Sequence, residues 1–289
     1  STNQQINSIV CKPEINPYYL ACILKSYGKD LVNLTLNLGV QHVNLQMLRD
    51  FKIPLPDLNI QQKIVAEIDA LENQQKKIQE NIASLQNEIA SFISKTAGGV
   101  TKLQDITSKI GSGATPLGGE GVYKAEGITF IRSQNVYDGF FTDEGLAYID
   151  DEQAKKLDNV SVEENDLLFN ITGASIARCC IVESKYLPAR VNQHVAIIRA
   201  NEKVLPKYLQ VILCSIEYKG RLLDIGECAT SRQAITKSQL ENFKIPLPSI
   251  AEQKKIVTTI EKIESKIIWL EEQQATLNKQ KETVLYNYL

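Results

Sequence analysis

A repeated hexapeptide is the feature that most constrains how this chain can fold. Phe-Lys-Ile-Pro-Leu-Pro occurs at residues 51–56 and again at residues 243–248, an offset of 192. The same offset aligns Gln61 with Gln253, and a further three-residue shift aligns the upstream segment NPYYLACIL with LPKYLQVIL. Self-similarity of this length indicates a structural unit that is used twice. The repeat covers roughly residues 13–95 and 206–288, so the chain looks like one and a half units.

After each hexapeptide, apolar residues recur at alternating spacings of four and three, which is the heptad pattern of a coiled-coil helix. The first seam consists of Ile64, Ile68, Leu71, Gln75, Ile78, Ile82, Leu85, Ile89 and Phe92. The second consists of Ile256, Ile260, Ile263, Ile267, Leu270, Gln274, Leu277, Lys281 and Val284. Asp57 or Asn59 can cap the first helix, and Ser249 the second. Because a lone helix would expose its seam, we expect helices over residues 57–97 and 249–289 to form an antiparallel coiled coil.

The stretch between the helices predicts a mixed α/β domain over residues 98–248. Short apolar runs bounded by turn residues predict strands. These strands lie at residues 127–132, 166–172, 177–182 and 194–200. Helices are predicted at residues 151–157 and 206–224. We expect the sheet to be mainly antiparallel, so the predicted fold class is α+β with two long helices.

No motif supports catalysis or a bound cofactor. The six cysteines form no C-x-x-C pair and only two histidines are present, so no metal site is predicted. The stretch GSGATPLGG at residues 111–119 lacks the Lys-Ser/Thr of a phosphate-binding loop, which favours a recognition or turn loop. NPYY at residues 16–19 has one proline where adenine methyltransferases have two, and its repeat partner opens a helix. The chain also lacks a signal peptide and an apolar run of about 20 residues, which predicts a cytoplasmic location with reduced thiols.

Several motifs follow one another in a characteristic order. Each Ile-Pro-Leu-Pro junction precedes an xxQxxIV segment and a heptad helix. Four further segments lie between the helices: ITSKIGSGATP at 106–116, EENDLLFNITGASIARCCIV at 163–182, YLPARVNQHVAIIR at 186–199 and ATSRQAITKSQLENFKIPLP at 229–248. In order and spacing, these segments resemble the specificity subunit of Type I restriction–modification systems. The resemblance covers nearly the whole chain.

The resemblance implies a DNA-binding role without catalysis. Two target-recognition domains would each recognise half of a bipartite DNA sequence, and two antiparallel helices would set the distance between the half-sites. The helices would also bind methyltransferase subunits, which carry S-adenosylmethionine, and a restriction and motor subunit would join for cleavage.

The chain departs from the family pattern in its first recognition domain. Only residues 1–56 would represent that domain, as its C-terminal remnant, whereas residues 98–248 would form a complete one. Self-association or pairing with a missing fragment would then supply the other half. Two other functions stay open: a coiled-coil interaction fragment that does not bind DNA, such as a silent or decoy cassette, and a fused methyltransferase, which no motif supports.

Charge alone does not indicate DNA binding. Residues 101–248 contain 17 basic and 19 acidic residues, although residues 167–248 contain 11 basic and 6 acidic residues, a net charge of +5. Candidate DNA contacts are loop residues of the types that bind base edges and phosphates. They are Lys109, Ser112, Thr115, Arg132, Gln134, Asn135, Tyr137, Thr172, Arg178, Arg190, Asn192, Gln193, Ser231, Arg232, Gln233 and Lys237. Arg132 and Arg232 are the leading candidates, followed by Asn135.

Overall fold

The computed structural model describes residues 8–28, 45–96, 98–227 and 233–288. It contains two compact units. The first unit comprises residues 1–85 with residues 265–289, and the second comprises residues 86–264. The two longest helices each contribute residues to both units.

Among the described residues, helices lie at both ends of the chain and at several places within the second unit. In chain order they are α1 (Pro17–Ser26), α2 (Leu45–Asp50), α3 (Leu58–Ser94), α4 (Leu103–Ile106), α5 (Asp151–Lys156), α6 (Pro206–Cys214), α7 (Ile216–Glu227), α8 (Lys237–Asn242) and α9 (Ile250–Tyr288). Asp57 caps α3 by accepting a hydrogen bond from the Ile60 amide at 3.0 Å. Ser249 and Glu252 cap α9 reciprocally.

Within the described part of the second unit, ten strands form the sheets. They are β1 (Gly99–Lys102), β2 (Thr107–Ser112), β3 (Ile128–Ile131), β4 (Ala147–Ile149), β5 (Ser161–Val162), β6 (Leu167–Asn170), β7 (Cys179–Ile181), β8 (Ala189–Val191), β9 (Val195–Ala200) and β10 (Lys244–Leu247). One four-stranded sheet has the order β2-β9-β6-β7, and a second has the order β4-β3-β8-β5. β1 and β10 form a separate two-stranded ribbon. Every pairing is antiparallel except that of β3 with β8, which confirms the mainly antiparallel character.

The β2-β9-β6-β7 sheet is buried on both faces. Leu167 and Phe169 of β6 pack in a core with α6, whereas Leu168, between them, packs in a second core with the other sheet. Such a strand shows a continuous apolar run, because no face is left for polar residues. The run from Leu167 to Phe169 was therefore recognisable in the sequence as a strand.

The predicted coiled coil is confirmed by contacts between α3 and α9. In the first unit, Gln75 donates to Asn278 at 2.6 Å, Lys281 pairs with Glu72 at 2.6 Å, and Tyr288 donates to Glu67 at 2.6 Å. Residue numbers rise along one helix as they fall along the other, so the helices are antiparallel.

The heptad seam is correct except at the end of α3. All the other apolar seam residues are buried or half-buried. Phe92 was predicted to lie in the seam but is 37% exposed, and Ile93 is buried in its place beside Ile256 and Ile260. The spacing from Ile89 to Ile93 is then four rather than three, and Ile93 belongs to the same core cluster as these two residues of α9.

Both copies of the hexapeptide form the same tyrosine contact. The Tyr19 hydroxyl donates to the Pro54 carbonyl at 2.9 Å in the first unit. In the second unit, the Tyr208 hydroxyl donates to the Pro246 carbonyl at 2.9 Å. The three-residue shift that aligned the upstream segments places these two tyrosines in register.

Each copy of the hexapeptide is followed, five residues after its last proline, by a fully buried glutamine that binds the carbonyl of that proline. Gln61 donates from Nε2 to the carbonyls of Pro56 (2.8 Å) and Glu14 (3.0 Å), and its Oε1 accepts from the Asn16 amide at 2.8 Å. Gln253 makes the equivalent three bonds, to Pro248, Lys203 and Leu205. The repeated hexapeptide is therefore a joint whose extended backbone presents carbonyls to these side chains.

Two predictions about the second unit were incomplete. The predicted helix over 206–224 is broken at Ser215, which has extended backbone and whose hydroxyl donates to the Ile212 carbonyl at 2.7 Å. The predicted single sheet is two sheets, because short strands such as β4, β5 and β8 carry little periodic signal. The four predicted strand runs each contain an observed strand.

Candidate nucleic-acid interface

The glycine-rich stretch packs directly against the loop that follows β8. The Gly113 amide donates to the carbonyls of Asn192 (3.1 Å) and Val195 (3.3 Å). A Cβ on Gly113 would lie 1.7 Å from the Val191 carbonyl oxygen, so only glycine fits. The Thr115 hydroxyl donates to Gln193 Oε1 at 2.5 Å. The glycine-rich stretch therefore packs against the loop after β8. This close packing explains the need for glycine at position 113, and no bound phosphate is required to explain it.

A chain of side chains extends this contact across three loops. Gln193 Nε2 donates to His194 Nε2 at 2.9 Å, and His194 Nδ1 lies 2.6 Å from the Thr172 hydroxyl. With the Gln193 amide so oriented, His194 carries its proton on Nδ1 and donates to Thr172. We call Thr115, Thr172, Gln193, His194 and Gln233 the polar edge. Gln233 joins it through its carbonyl, which accepts from the Gly173 amide at 3.2 Å.

The polar edge presents donors and acceptors on braced loops. Thr115, Gln193 and Gln233 are exposed, whereas Thr172 and His194 are half-buried. Ser112, the last residue of β2, is also exposed close to this edge. Amide and hydroxyl side chains of this kind match the hydrogen-bonding edges of bases in the major groove.

Arg132 and Asn135, two of the leading candidates, are used inside the protein. Arg132 donates to the Gly145 carbonyl at 2.6 Å, lies 3.5 Å from Glu120, and stacks on Tyr123 at 5.3 Å. Asn135 has no exposed surface; its Oδ1 accepts from the Arg132 amide, and its Nδ2 donates to the carbonyls of Thr142 and Glu144. These two side chains hold the 132–145 loop rather than project from it. Gln134, between them, is exposed and bonds the Gly145 carbonyl.

Arg190 and Asn192 are also buried. Arg190 is 9% exposed and donates to the Ala154 carbonyl at 3.1 Å and to Asp158 at 2.6 Å. Asn192 is 7% exposed, and its Oδ1 accepts from the His194 amide at 3.0 Å. Arg190 thus holds α5 and the turn that follows it, and Asn192 holds the loop that carries Gln193. A DNA contact by either residue stays a prediction from the sequence.

Two other candidates lie apart from the polar edge, and two lie outside the described residues. Lys109 pairs in register with Arg199, toward the far end of β2 from Gly113. Lys237, at the start of α8, is exposed and lies 3.6 Å from Glu241. Ser231 and Arg232 lie outside the described residues.

Arg178 and Tyr137 meet next to the polar edge. The Arg178 guanidinium lies 4.6 Å from the centre of the Tyr137 ring, and that ring stacks on Phe140 with centres 4.9 Å apart. Phe140 is 56% exposed and was not predicted as a site residue. The available signal was the Asp138-Gly139 turn, which places an aromatic residue at a loop tip.

The buried thiols of Cys179 and Cys180 are expected to be unreactive as nucleophiles. Burial raises the pKa of Cys180 to about 12. A hydrogen bond with the Cys214 thiol, together with burial, raises the pKa of Cys179. Both groups are therefore protonated thiols near neutral pH, and a protonated thiol is a poor nucleophile.

Neither a metal-ligand cluster nor a membrane-spanning helix occurs among the described residues. No group of three or more His, Cys, Asp or Glu side chains there could hold a metal ion. No helix within residues 8–28, 45–96, 98–227 and 233–288 is long and apolar enough to cross a membrane.

Comparison with known sequences identifies relatives of one kind. A family model described as the Type I restriction modification DNA specificity domain matches residues 1–89 and 99–279. The chain is 25% identical over 162 residues to the putative type I restriction enzyme MjaX specificity subunit of Methanocaldococcus jannaschii, covering 55% of this chain and 38% of that protein. It is 30% identical over 139 residues to the type I restriction enzyme EcoBI specificity subunit of Escherichia coli, covering 48% of this chain and 29% of that protein. The chain thus matches well under half the length of these relatives.

Solved structures share the fold. The HsdS subunit from Thermoanaerobacter tengcongensis superposes with a TM-score of 0.53 at 18% identity, over 95% of this chain and 70% of that chain. The Type-I restriction-modification system S subunit from M. genitalium superposes with a TM-score of 0.54 at 14% identity. The superposition covers 96% of this chain and 73% of that chain. A third structure was described in relation to complex assembly and conformational transition of the type I R-M system. One of its chains superposes with a TM-score of 0.61 at 19% identity, over 95% of this chain and 71% of that chain.

Proposed function

Because the chain belongs to the Type I restriction–modification DNA specificity family, we propose that it is a non-catalytic specificity subunit that recognises half of a bipartite DNA target. The observation that carries this proposal is the polar edge, in which amide, hydroxyl and imidazole groups of loops at the ends of strands are linked by side-chain hydrogen bonds. Binding residues are commonly placed on loops that a rigid scaffold positions.

Base recognition by the polar edge follows from its chemistry. Exposed glutamine amides, such as those of Gln193 and Gln233, offer a donor and an acceptor that match adenine N7 and N6. The Gln193 amide is fixed on one side by Thr115 and on the other by His194. A side chain already held in its bound orientation loses less entropy when it binds.

The charge distribution along the chain supports contact with the phosphate backbone by the C-terminal part of the domain. The acidic excess lies before residue 167, whereas residues 167–248 carry a net charge of +5. This second segment contains Thr172, Arg178, Gln193 and Gln233. Phosphate contacts position a protein on DNA, and base contacts then select the sequence.

We further propose that α3 and α9 bind methyltransferase subunits, which would supply S-adenosylmethionine and the catalytic groups, and that a restriction subunit joins this complex. In the first unit, Ile268 and Trp269 of α9 lie outside the seam and are 56% and 57% exposed. Large exposed apolar side chains on an otherwise polar helix are typical of a protein-binding surface.

The repeat supports a second proposal about residues 1–56, that they are the remnant of a first recognition domain. Leu20 and Leu24 of α1 are half-buried, whereas their counterparts Leu209 and Leu213 of α6 are fully buried beneath the sheet of the second unit. An equivalent sheet over α1 would bury this face. A second copy or a missing fragment would supply it.

One observation favours the alternative of a coiled-coil fragment that does not bind DNA. Arg132 and Arg190 are committed to internal contacts, and residues 101–248 carry a net charge of −2. On this alternative, the chain would bind a methyltransferase without directing it to a sequence.

The deciding experiment is reconstitution of the chain with its methyltransferase subunit, followed by sequencing of the modified positions in treated DNA. The methyltransferase alone is the control. Methylation of one defined bipartite motif is expected, and symmetric half-sites would indicate that two copies pair. A stable complex that methylates no defined motif would establish the alternative.

A further inference from the structure

The arginines of the second unit differ in whether their hydrogen-bond donors are free. Arg132, Arg190 and Arg199 each donate to carbonyl or carboxylate oxygens of the protein. Arg199, for example, forms two 2.8 Å bonds with Asp166, which has no exposed surface. Arg178 makes no side-chain hydrogen bond or ion pair with any described residue; its guanidinium instead contacts the Tyr137 ring.

Tyr137 holds Arg178 without using its N–H groups. A guanidinium over an aromatic face is attracted by the ring, and its five N–H bonds stay available for other partners. Phe140 stacks on the same tyrosine with an angle of 14° between the rings. The three groups together therefore orient a planar cation whose donors have no partner among the described residues.

The turn that carries Tyr137 and Phe140 is braced on several sides. The Gly139 amide donates to the Cys179 carbonyl at 2.9 Å, and Gln210, itself 4% exposed, donates to the Gly139 carbonyl at 3.2 Å. Lys219 forms an ion pair with Asp138. Gly139 has a φ of +82°, a conformation that glycine adopts readily. The exposed Phe140 ring is thus fixed by its turn.

Arg178 also lies beside the polar edge. Its carbonyl accepts from the Asn170 amide at 2.9 Å, next to the end of β6. Thr172, two residues beyond Asn170, belongs to the polar edge. Between Thr172 and Arg178 the chain makes one short 3-10 turn, Gly173–Ser175.

We infer that Arg178 recognises a guanine in the DNA half-site, donating two hydrogen bonds to its O6 and N7, and that Tyr137 is its positioning residue. Arginine is suited to this contact because its planar fork matches the two acceptors of guanine. The inference rests on the proposed function and names one base and the side chain that selects it.

The test uses the full chain reconstituted with its methyltransferase, and measures methylation motifs and rates on defined DNA. Arg178→Ala and Arg178→Lys are both expected to lose discrimination roughly 10- to 100-fold at one guanine position. The lysine variant keeps the positive charge but lacks the planar guanidinium with its paired N–H donors. Arg221→Ala is the matched control, because Arg221 is exposed and also lies over aromatic rings, 5.0 Å from Tyr218 and 5.2 Å from Phe243.

Modified DNA separates a base contact from a phosphate contact. Replacing the selected guanine by 7-deazaguanine removes the N7 acceptor, and should slow methylation by the wild-type complex but not further slow the Arg178→Ala complex. Tyr137→Phe keeps an aromatic ring beneath Arg178 and should keep the selectivity for guanine. Tyr137→Leu removes the ring and should reduce this selectivity, while the variant still binds the methyltransferase.

Two results would overturn the inference while leaving the proposed function in place. One is a defined wild-type motif that Arg178→Ala leaves unchanged. The other is an equal loss on all sequences with a weaker dependence on salt, which would mean a phosphate contact. A wild-type complex without any defined motif would instead overturn the proposed function itself, and this inference with it.

Discussion

At the scale of single residues, buried polar side chains hold the recognition domain and its joints together. Gln61 and Gln253 have no exposed surface, and each makes three hydrogen bonds to backbone groups, two of which lie 45 to 50 residues away in the chain. Arg190 in β8 and Asn135 in the turn after β3 also donate hydrogen bonds to backbone carbonyls. Such groups are stabilising only while every partner is satisfied, because a buried donor or acceptor without a partner costs free energy.

Replacing Gln253 by leucine should therefore destabilise the protein. Gln253→Leu leaves the Leu205 amide and the carbonyls of Lys203 and Pro248 without their partner, and we expect the free energy of unfolding to fall by about 2–4 kcal/mol. Gln273→Leu, at an exposed position of the same helix, is the control, with an expected change within about 0.5 kcal/mol. Chemical denaturation measures both, and equal effects would contradict a structural role for Gln253.

Glu264 provides a test of charge burial on α9. Burial, opposed by Lys207 and reinforced by Glu261, raises the pKa of Glu264 above its usual value. A folded-state pKa above the unfolded value means that stability is lost as the pH rises through the folded pKa. Glu264→Gln should therefore stabilise the protein at pH 7 relative to wild type, and this gain should disappear near pH 4.

Melting temperatures across this pH range check the prediction. Glu271→Gln, at an exposed position of α9, is the matched control. The difference between its melting temperature and that of the wild type should change less with pH. A gain for Glu264→Gln that is the same at pH 4 and pH 7 would rule out burial of charge as its cause.

At the scale of secondary-structure elements, the two long helices combine a regular seam with polar contacts that set their register. Gln75 and Asn278 meet across the helices at 2.6 Å, and Glu72 meets Lys281. Polar pairs of this kind favour one alignment over others at some expense in stability. The apolar seam supplies the stabilisation, and the polar pairs select the antiparallel alignment.

Two isoleucines of α9 distinguish the seam from the outer face. Ile260 is 1% exposed and Ile268 is 56% exposed. Ile260→Ala should lower the free energy of unfolding by about 2–4 kcal/mol, because it leaves a cavity between packed side chains. Ile268→Ala should change it by less than about 0.5 kcal/mol. Thermal and denaturant unfolding measure both, and a large loss for Ile268→Ala would place that residue in an unrecognised contact.

At the scale of the whole molecule, the charge balance limits how the chain can bind DNA. The net charge is −2, and the basic excess is confined to part of one domain. Few phosphate contacts are then available to the chain alone, and a basic partner subunit would supply more. We expect specificity from this chain and most of the affinity from the assembled complex.

DNA affinity of the isolated chain should accordingly be weak and sensitive to salt. Fluorescence anisotropy with a labelled duplex should show binding that falls steeply between about 50 and 200 mM salt, since released counterions drive phosphate contacts. Adding the methyltransferase should increase the affinity. Tight binding by the chain alone that salt leaves unchanged would contradict this view and would point to a larger base-contact surface.

Local patterns predicted much of the fold. Heptad spacing predicted α3 and α9, and continuous apolar runs predicted β6 and β9, because these patterns reflect burial that is set by the helix or strand period. The end of the seam at Ile93 and the break at Ser215 were missed. Each depends on what packs against that segment, which local periodicity does not contain.

The candidate site was less predictable than the fold. Residue type alone placed Arg132, Arg178 and Arg190 in the same class, yet their surroundings differ. Arg132 and Arg190 donate to carbonyls and carboxylates from distant segments, whereas Arg178 contacts an aromatic ring. Exposed and internally bonded arginines look the same in a sequence, because the acceptors that distinguish them are brought close only by folding.

The sequence by itself determined the repeat, the two heptad helices and the family. Identical residues at a constant offset and apolar residues at a constant period are properties of the chain, and folding does not change them. Only the tertiary structure decided that the hexapeptides are joints held by Gln61 and Gln253, that Asn135 and Arg190 are internal, and that Arg178 has unpaired donors within the described residues. Hydrogen-bond partners and burial arise from contacts between segments far apart in sequence, and those contacts exist only in the folded chain.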